Sequence, residues 1–170
     1  MRIRKLTTAA VFTALALGLS LLERTIPMAW LPLPGVKLGL ANIVTLVALF
    51  TLGTPYAAAI LLLRALLGSL FAGSLTSFLY ALAGGALAIA AMRLADRSGG
   101  FSVYGVSILG AAAHSLGQIL AAALLLGSVQ IFRYLPVLLL VSVVTGTLTG
   151  LAAAGVLTAL DALGRRGMRL

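Results

Sequence analysis

Apolar runs, each long enough to cross the hydrocarbon core of a bilayer, follow one another along this chain with little sequence between them. About 20 apolar residues make such a crossing, and lipid offers no hydrogen bonds to a backbone, so each run must satisfy its own amides as a helix. Six spans are expected. The first runs from Leu6 to Leu22 behind the basic start Arg2, Arg4 and Lys5. It is longer than the roughly 7–15 residues of a signal-peptide core and no small-residue cleavage site follows, which predicts a retained helix. The second runs from Leu38 to Leu52 and ends at Gly53-Thr54-Pro55. The third runs from Tyr56 to Ala72, and the fourth from Leu75 to Met92. A polar linker is then expected over Arg93-Leu-Ala-Asp-Arg97-Ser-Gly-Gly100. The fifth runs from Val103 to Leu126 and the sixth, after a short loop with Arg133, from Leu135 to Leu160.

The expected fold class is therefore all-α, one transmembrane domain over residues 1–170, with no soluble domain, internal repeat or low-complexity tract. Composition agrees: 62% of residues are hydrophobic and 9% charged, with a mean hydropathy of +1.19, where a soluble domain is about half apolar and a quarter charged. No cysteine is present, so a disulfide framework and a thiolate metal site are both excluded. The net charge of +9 comes from twelve Lys and Arg scattered between apolar runs. That pattern marks topology, not a nucleic-acid footprint, and no nucleic-acid partner is expected. With six spans both termini share a side. Placing them in the cytoplasm collects Arg2, Arg4, Lys5, Arg93, Arg97, Arg165, Arg166 and Arg169 there and leaves Arg24, Lys37 and Arg133 outside. The excess of positive charge favours that orientation.

Small residues allow helices to approach in lipid, which supplies no hydrophobic drive of its own. Ala10-xxx-Ala14-xxx-Gly18, Ala113-xxx-Gly117-xxx-Ala121 and Gly146-xxx-Gly150-xxx-Ala154 are such stripes. Each can pack inside the bundle or face a separate membrane protein, and the first, near the cytoplasmic end, is the best candidate for a partner.

Polar residues within the spans carry the most information because they are costly in lipid. A central arginine costs about 2.5–3.5 kcal/mol on insertion scales, so Arg64 should face protein or a water-filled cavity. The acids Glu23, Asp96 and Asp161 all fall near span ends, which leaves Arg64 with no evident acidic partner at mid-depth. Either carbonyls and amides such as Asn42 satisfy it, or an anionic ligand does. His114 and Gln118, four apart, share a helix face. They are either packing residues or a polar stripe descending from the outside, with Tyr80 nearby. Lys37 is either a snorkelling anchor or, with Asn42 one turn below it, part of the same donor-rich cavity.

Catalysis finds little support. There is no Ser/His/Asp set with a credible acid, no paired carboxylates at mid-depth, and no Asp-rich cluster to hold Mg²⁺ against a diphosphate. One histidine cannot build a three-ligand zinc site without acids or thiolates beside it. A Gly-rich phosphate loop ending in Lys-Ser/Thr is also missing, so active transport would need an energising partner. The chain is not expected to be an enzyme, and no metal or cofactor is expected.

Four ordered stretches carry a resemblance: Pro34-Gly35-Val36-Lys37-Leu38-Gly39-Leu40-Ala41-Asn42, Arg64-Ala65-Leu66-Leu67-Gly68, Gly110-Ala111-Ala112-Ala113-His114-Ser115-Leu116-Gly117-Gln118 and Tyr134-Leu135-Pro136-Val137-Leu138. Together they resemble the Gx transporter family, whose members are often labelled heptaprenyl diphosphate synthase component I. The resemblance covers nearly the whole chain, with Ser115 a departure where Asn follows the histidine. That family in turn is similar to the substrate-binding S components of energy-coupling factor (ECF) transporters. The resemblance implies a six-helix S component that captures a small anionic or amphipathic molecule from outside, flavin-like, vitamin-like or an isoprenoid or quinone precursor. It also implies docking on a transmembrane T component driven by two ATPase subunits, through Ala10 and Ala14 on the first helix. The loop Met28-Ala-Trp30-Leu-Pro32-Leu-Pro34 is then the expected lid. The expected substrate-binding residues are Lys37, Asn42, Arg64, Tyr80, His114, Gln118 and Trp30. The synthase label sits poorly with three dispersed acids. A non-catalytic membrane scaffold for a prenyl diphosphate synthase is the alternative.

Overall fold

A computed structural model describes residues 2–25 and 39–167. Six α-helices follow in order: α1 (Arg2–Arg24), α2 (Asn42–Thr51), α3 (Thr54–Ala72), α4 (Leu75–Ser98), α5 (Val103–Leu126) and α6 (Leu135–Gly167), with a 3-10 helix over Val129–Tyr134 before the last. No strand occurs among the described residues. Five of the helices are long and apolar enough to cross a membrane, and α2 is a shorter apolar helix. The chain is a multi-pass membrane protein of the all-α class.

Local chemistry sets the helix ends. Gly73 takes a left-handed conformation (φ 58) that closes α3, and the Ser74 hydroxyl accepts the Ser77 amide to open α4. Ser102 caps α5 in the same way through the Gly105 amide. Two expected boundaries are corrected. The segment from Arg93 is not a linker: α4 continues to Ser98, and Arg93 Nη1 donates to Asp96 Oδ2 at 2.8 Å across one helical turn. The last helix likewise runs past Leu160 to Gly167.

The larger correction concerns α2. Its ten residues rise only about 15 Å, half the hydrocarbon thickness, where a span over 38–52 was expected. Gly39 at φ 86 lies in the left-handed region and interrupts any helix there; Leu38 lies outside the described residues. Val44, Thr45, Leu46, Val47, Ala48 and Leu49 of α2 are all buried. A helix apolar on nearly every side belongs in the interior, and α2 packs against α1, α3, α4 and α6.

Around it, α4, α5 and α6 run antiparallel at close range. A Cβ at Gly117 would meet the backbone of Ala83 and Gly84, one at Gly110 the Met92 side chain, and one at Gly146 the Ile108 Cα at 2.6 Å. Two of the three small-residue stripes are thus used for packing inside the bundle. Paired hydroxyls reinforce the α5–α6 seam. Ser142 donates to the Leu138 carbonyl at 2.7 Å, so the proton between Ser115 and Ser142, 2.7 Å apart, comes from Ser115. By the same reasoning Ser107 donates to Thr149, which donates to the Gly146 carbonyl. The third stripe behaves differently: Ala10, Ala14 and Gly18 are exposed, while α1 turns Thr13, Ala16, Ser20 and Glu23 inward.

Candidate ligand site

Asn42 lies eleven residues before Gly53 and Arg64 eleven after it, so the antiparallel pair α2 and α3 sets both at about one depth. That depth is the middle of the bundle. Asn42 is the first residue of α2 and therefore stands level with the middle of α3. Further along, the Leu61 side chain fills the space beside Gly85 where a side chain would stand, bringing α3 onto α4. Gly84 next to it receives the His114 imidazole, whose Nδ1 and Cε1 lie 2.9 Å from the position of an added Cβ. The His114 ring also approaches Gly39, and Gly39 in turn approaches the Asn42 amide. Lack of a Cβ at two positions on different elements thus lets α2, α4 and α5 converge on one polar level.

Arg64 joins this level from α3. Its side chain is buried, and Nη1 donates to Ser20 Oγ on α1 at 3.3 Å. One turn on from Ser20, the buried Glu23 carboxylate accepts the Gly39 amide at 2.6 Å, and its charge acts attractively on the Arg64 guanidinium. The expectation that Arg64 has no evident acidic partner at mid-depth did not reckon with Glu23, whose charge reaches it from the end of α1. The α1 helix continues to Arg24, so Glu23 sits on its buried face and not at a solvated end. A charge held in a low-dielectric interior needs such pairing together with further hydrogen bonds.

Of the seven substrate-binding residues expected from sequence, Asn42, Arg64, His114 and Gln118 are buried, and the first three converge as described, with Gln118 one helical turn beyond His114. Tyr80 is half-buried in an apolar cluster with Ile119, Ala122, Ile131 and Leu138. Trp30, Lys37 and the lid from Met28 to Pro34 lie outside the described residues. Sequence reasoning missed Ser20, Glu23 and Gly39. The available signal was the spacing of Thr13, Ala16, Ser20 and Glu23, which follows one helix face and is too polar to face lipid.

Asn42 Oδ1 and Arg64 Nε, and one helical turn beyond His114 also Gln118 Oε1, are buried and have no hydrogen-bond partner among the described residues. Buried amides are ordinarily satisfied, so this polar group has unused capacity for both a donor and an acceptor. Beside it, a cleft of about 570 Å³ opens between the start of α2 and α6, lined by Leu40, Ile43, Val141, Val144, Leu148 and Thr149 among others. Leu40 and Ile43 flank Asn42 in sequence, so this half-open apolar cleft, whose α6 wall at Val144 and Leu148 is exposed, begins beside the start of α2. A second groove, about 390 Å³, runs between α1 and α3 past Ala10, Thr13, Tyr56, Ala59 and Leu63. Among the described residues no group of three or more His, Asp or Glu could hold a metal ion.

Residues 12–156, well over half of the chain, match the family model described as heptaprenyl diphosphate synthase component I. Searches of curated proteins and of solved structures gave no match.

Proposed function

The chain belongs to the heptaprenyl diphosphate synthase component I family, and from that premise we propose that it is a non-catalytic substrate-capture subunit of an ECF-type uptake transporter in the bacterial cytoplasmic membrane. Its cargo is a small anionic or amphipathic molecule, taken from the external side. The observation that carries this reading is the buried polar group around Asn42 and Arg64, with Gln118 one turn beyond His114, where Asn42 Oδ1, Arg64 Nε and Gln118 Oε1 have no hydrogen-bond partner among the described residues. Polar groups are expensive in the membrane interior and mark substrate pathways more often than scaffolding. The adjoining apolar cleft suits the rest of an amphipathic ligand.

Partner docking is supported from α1. Ala10, Ala14 and Gly18 are exposed on the face opposite the buried one, beside the groove against α3. Small residues there let a T component approach closely, and two ATPase subunits supply the energy that this chain has no phosphate loop to capture. Docking then lets the bundle reorient and release its ligand inside. Catalysis is disfavoured by the disposition of the acids: Glu23 holds Gly39, Asp96 pairs with Arg93, and Asp161 is exposed on α6.

The family description itself favours a second reading, a membrane scaffold for a prenyl diphosphate synthase. Native mass spectrometry of the gently purified protein separates the two. A retained small molecule together with a co-purifying T-type chain and ATPases supports the transporter. An empty protein bound only to a soluble synthase subunit would overturn it.

A further inference from the structure

The turn between α5 and α6 holds a hollow that ligand capture does not use. Gly127, in the left-handed region at φ 60, ends α5, and the chain returns through the 3-10 helix Val129–Tyr134, which runs directly into α6. Residues three apart are eclipsed in such a helix, so Gln130 and Arg133 share one side of it. Ile131 turns the other way, into the apolar cluster with Ile119, Ala122 and Leu138. Between this helix and the end of α5 lies a hollow of about 490 Å³, lined by Leu126, Ser128, Gln130, Ile131, Arg133 and Tyr134. The geometry points to a binding site for the head group of an anionic phospholipid, its phosphodiester on Arg133, at the membrane surface where α5 ends.

Two independent features lead there. The first is the chemistry of the lining. The Arg133 guanidinium, the Tyr134 phenol, the Ser128 hydroxyl and the Gln130 amide all carry N–H or O–H donors. None of the four side chains is taken up by a hydrogen bond or ion pair among the described residues. Nor does any of the chain's three acids line the hollow: Glu23 holds Gly39, Asp96 pairs with Arg93, and Asp161 lies in the far part of α6. A cation among neutral donors, with no carboxylate, suits an anion rich in acceptors. The second feature is the apolar collar. Leu126, on the wall of the hollow, is 66% exposed, and Leu124 and Val129 on either side of it in sequence are 84% and 81% exposed. Hydrocarbon tails cover such a surface, while Arg and Tyr at a span end sit at head-group level. A free phosphate would use the donors and gain nothing from the collar; a phospholipid uses both. Simple snorkelling anchors need no concavity, whereas these groups meet around a space within the roughly 300–1,000 Å³ of small-molecule sites.

The test separates head from tail. Dioleoyl phosphatidylglycerol is titrated by native mass spectrometry onto the full chain in detergent, for the native protein, Arg133→Gln, Arg133→Lys and Arg97→Gln. Dioleoylglycerol, with the same tails and no phosphate, and glycerol phosphate, with the phosphate and no tails, are titrated in parallel. Arg133 is exposed and holds no described residue, so its variants keep the fold. Arg97, exposed where α4 ends on the opposite membrane side, controls for the general attraction of an anionic lipid to a basic protein. The native protein should hold phosphatidylglycerol at least about fivefold more tightly than either other probe, and Arg133→Gln should lose about fivefold, the weight of one basic residue at an anionic lipid surface. Arg133→Lys should keep most of the affinity and Arg97→Gln all of it. Equal affinity for phosphatidylglycerol and dioleoylglycerol, or equal losses in Arg133→Gln and Arg97→Gln, would overturn the site. Glycerol phosphate bound as tightly as the lipid, with the same dependence on Arg133, would overturn the lipid assignment in favour of a soluble phosphate.

Discussion

Gly117 of α5 lies backbone to backbone against Gly84 of α4: a Cβ on Gly117 would stand 2.6 Å from the Ala83 carbonyl oxygen and 2.7 Å from the Gly84 Cα. Main chain cannot swing aside as a flexible side chain does, so the two helices must separate to admit even a methyl group. Gly117→Ala is expected to destabilise the protein by about 1–3 kcal/mol, the usual range for overpacking. Gly18→Ala, where an added Cβ meets nothing within 4 Å, should leave the thermal midpoint unchanged. Parallel melting curves in one detergent check both, and equal midpoints for the two variants would refute the close approach.

Removing Arg64 should be more costly than removing its hydrogen-bond partner. Arg64→Ala removes a buried cation on which the Glu23 charge acts, a loss of about 3–5 kcal/mol. Ser20→Ala removes one neutral acceptor and should cost about 1.5–3 kcal/mol at most. The informative comparison is the double variant Arg64→Met with Glu23→Gln, which removes both charges while keeping volume and an acceptor for Gly39. It should recover a substantial part of the stability lost in Arg64→Ala. If the double variant is as unstable as the single one, the two charges do not compensate each other.

The sequence shows the long helices because hydropathy and length suffice for them: α1 and α3 to α6 all follow from predominantly apolar runs, though α4 and α6 continue past the ends of those runs. It does not show α2 correctly, because Leu38, Leu40 and Ala41 are as apolar as the helix they precede, and only the backbone conformation of Gly39 reveals the break. The stretch from Arg93 to Ser98 misleads in the opposite direction. Its charges suggest a loop, yet Arg93 and Asp96 are one turn apart and support a helix. At the candidate site, Asn42, Arg64, His114 and Gln118 are conspicuous because each is polar in an apolar run. Glu23 is not, since its role depends on how far α1 continues and which way it turns, and those are tertiary facts.

The hydroxyl relay from Ser115 through Ser142 to the Leu138 carbonyl offers a clean measurement of the α5–α6 seam. Ser142→Ala deprives Ser115 of its acceptor and also removes the bond along α6. Interhelical hydrogen bonds of this type contribute about 0.6–1.7 kcal/mol in membrane proteins, so a loss in that range is expected. A double-mutant cycle with Ser115→Ala isolates the shared part. Strictly additive losses would show that the two hydroxyls do not interact.

Ala14 tests the outer face of α1 separately from everything inside. Its side chain is exposed, whereas its neighbours Thr13 and Ala16 are buried. A bulky replacement at position 14 therefore projects from the bundle. Ala14→Trp should leave the thermal midpoint within about 0.5 kcal/mol of the native value, as surface substitutions generally do, and should leave ligand retention intact. What it should abolish is co-purification with membrane and ATPase partners, because a tryptophan holds two helices apart where alanine lets their backbones meet. The same substitution at Ala16, which is fully buried against the core, should unfold the protein and serves as the inward-facing control. Undiminished uptake in cells carrying Ala14→Trp would remove α1 as the docking helix and redirect attention to the remaining exposed faces.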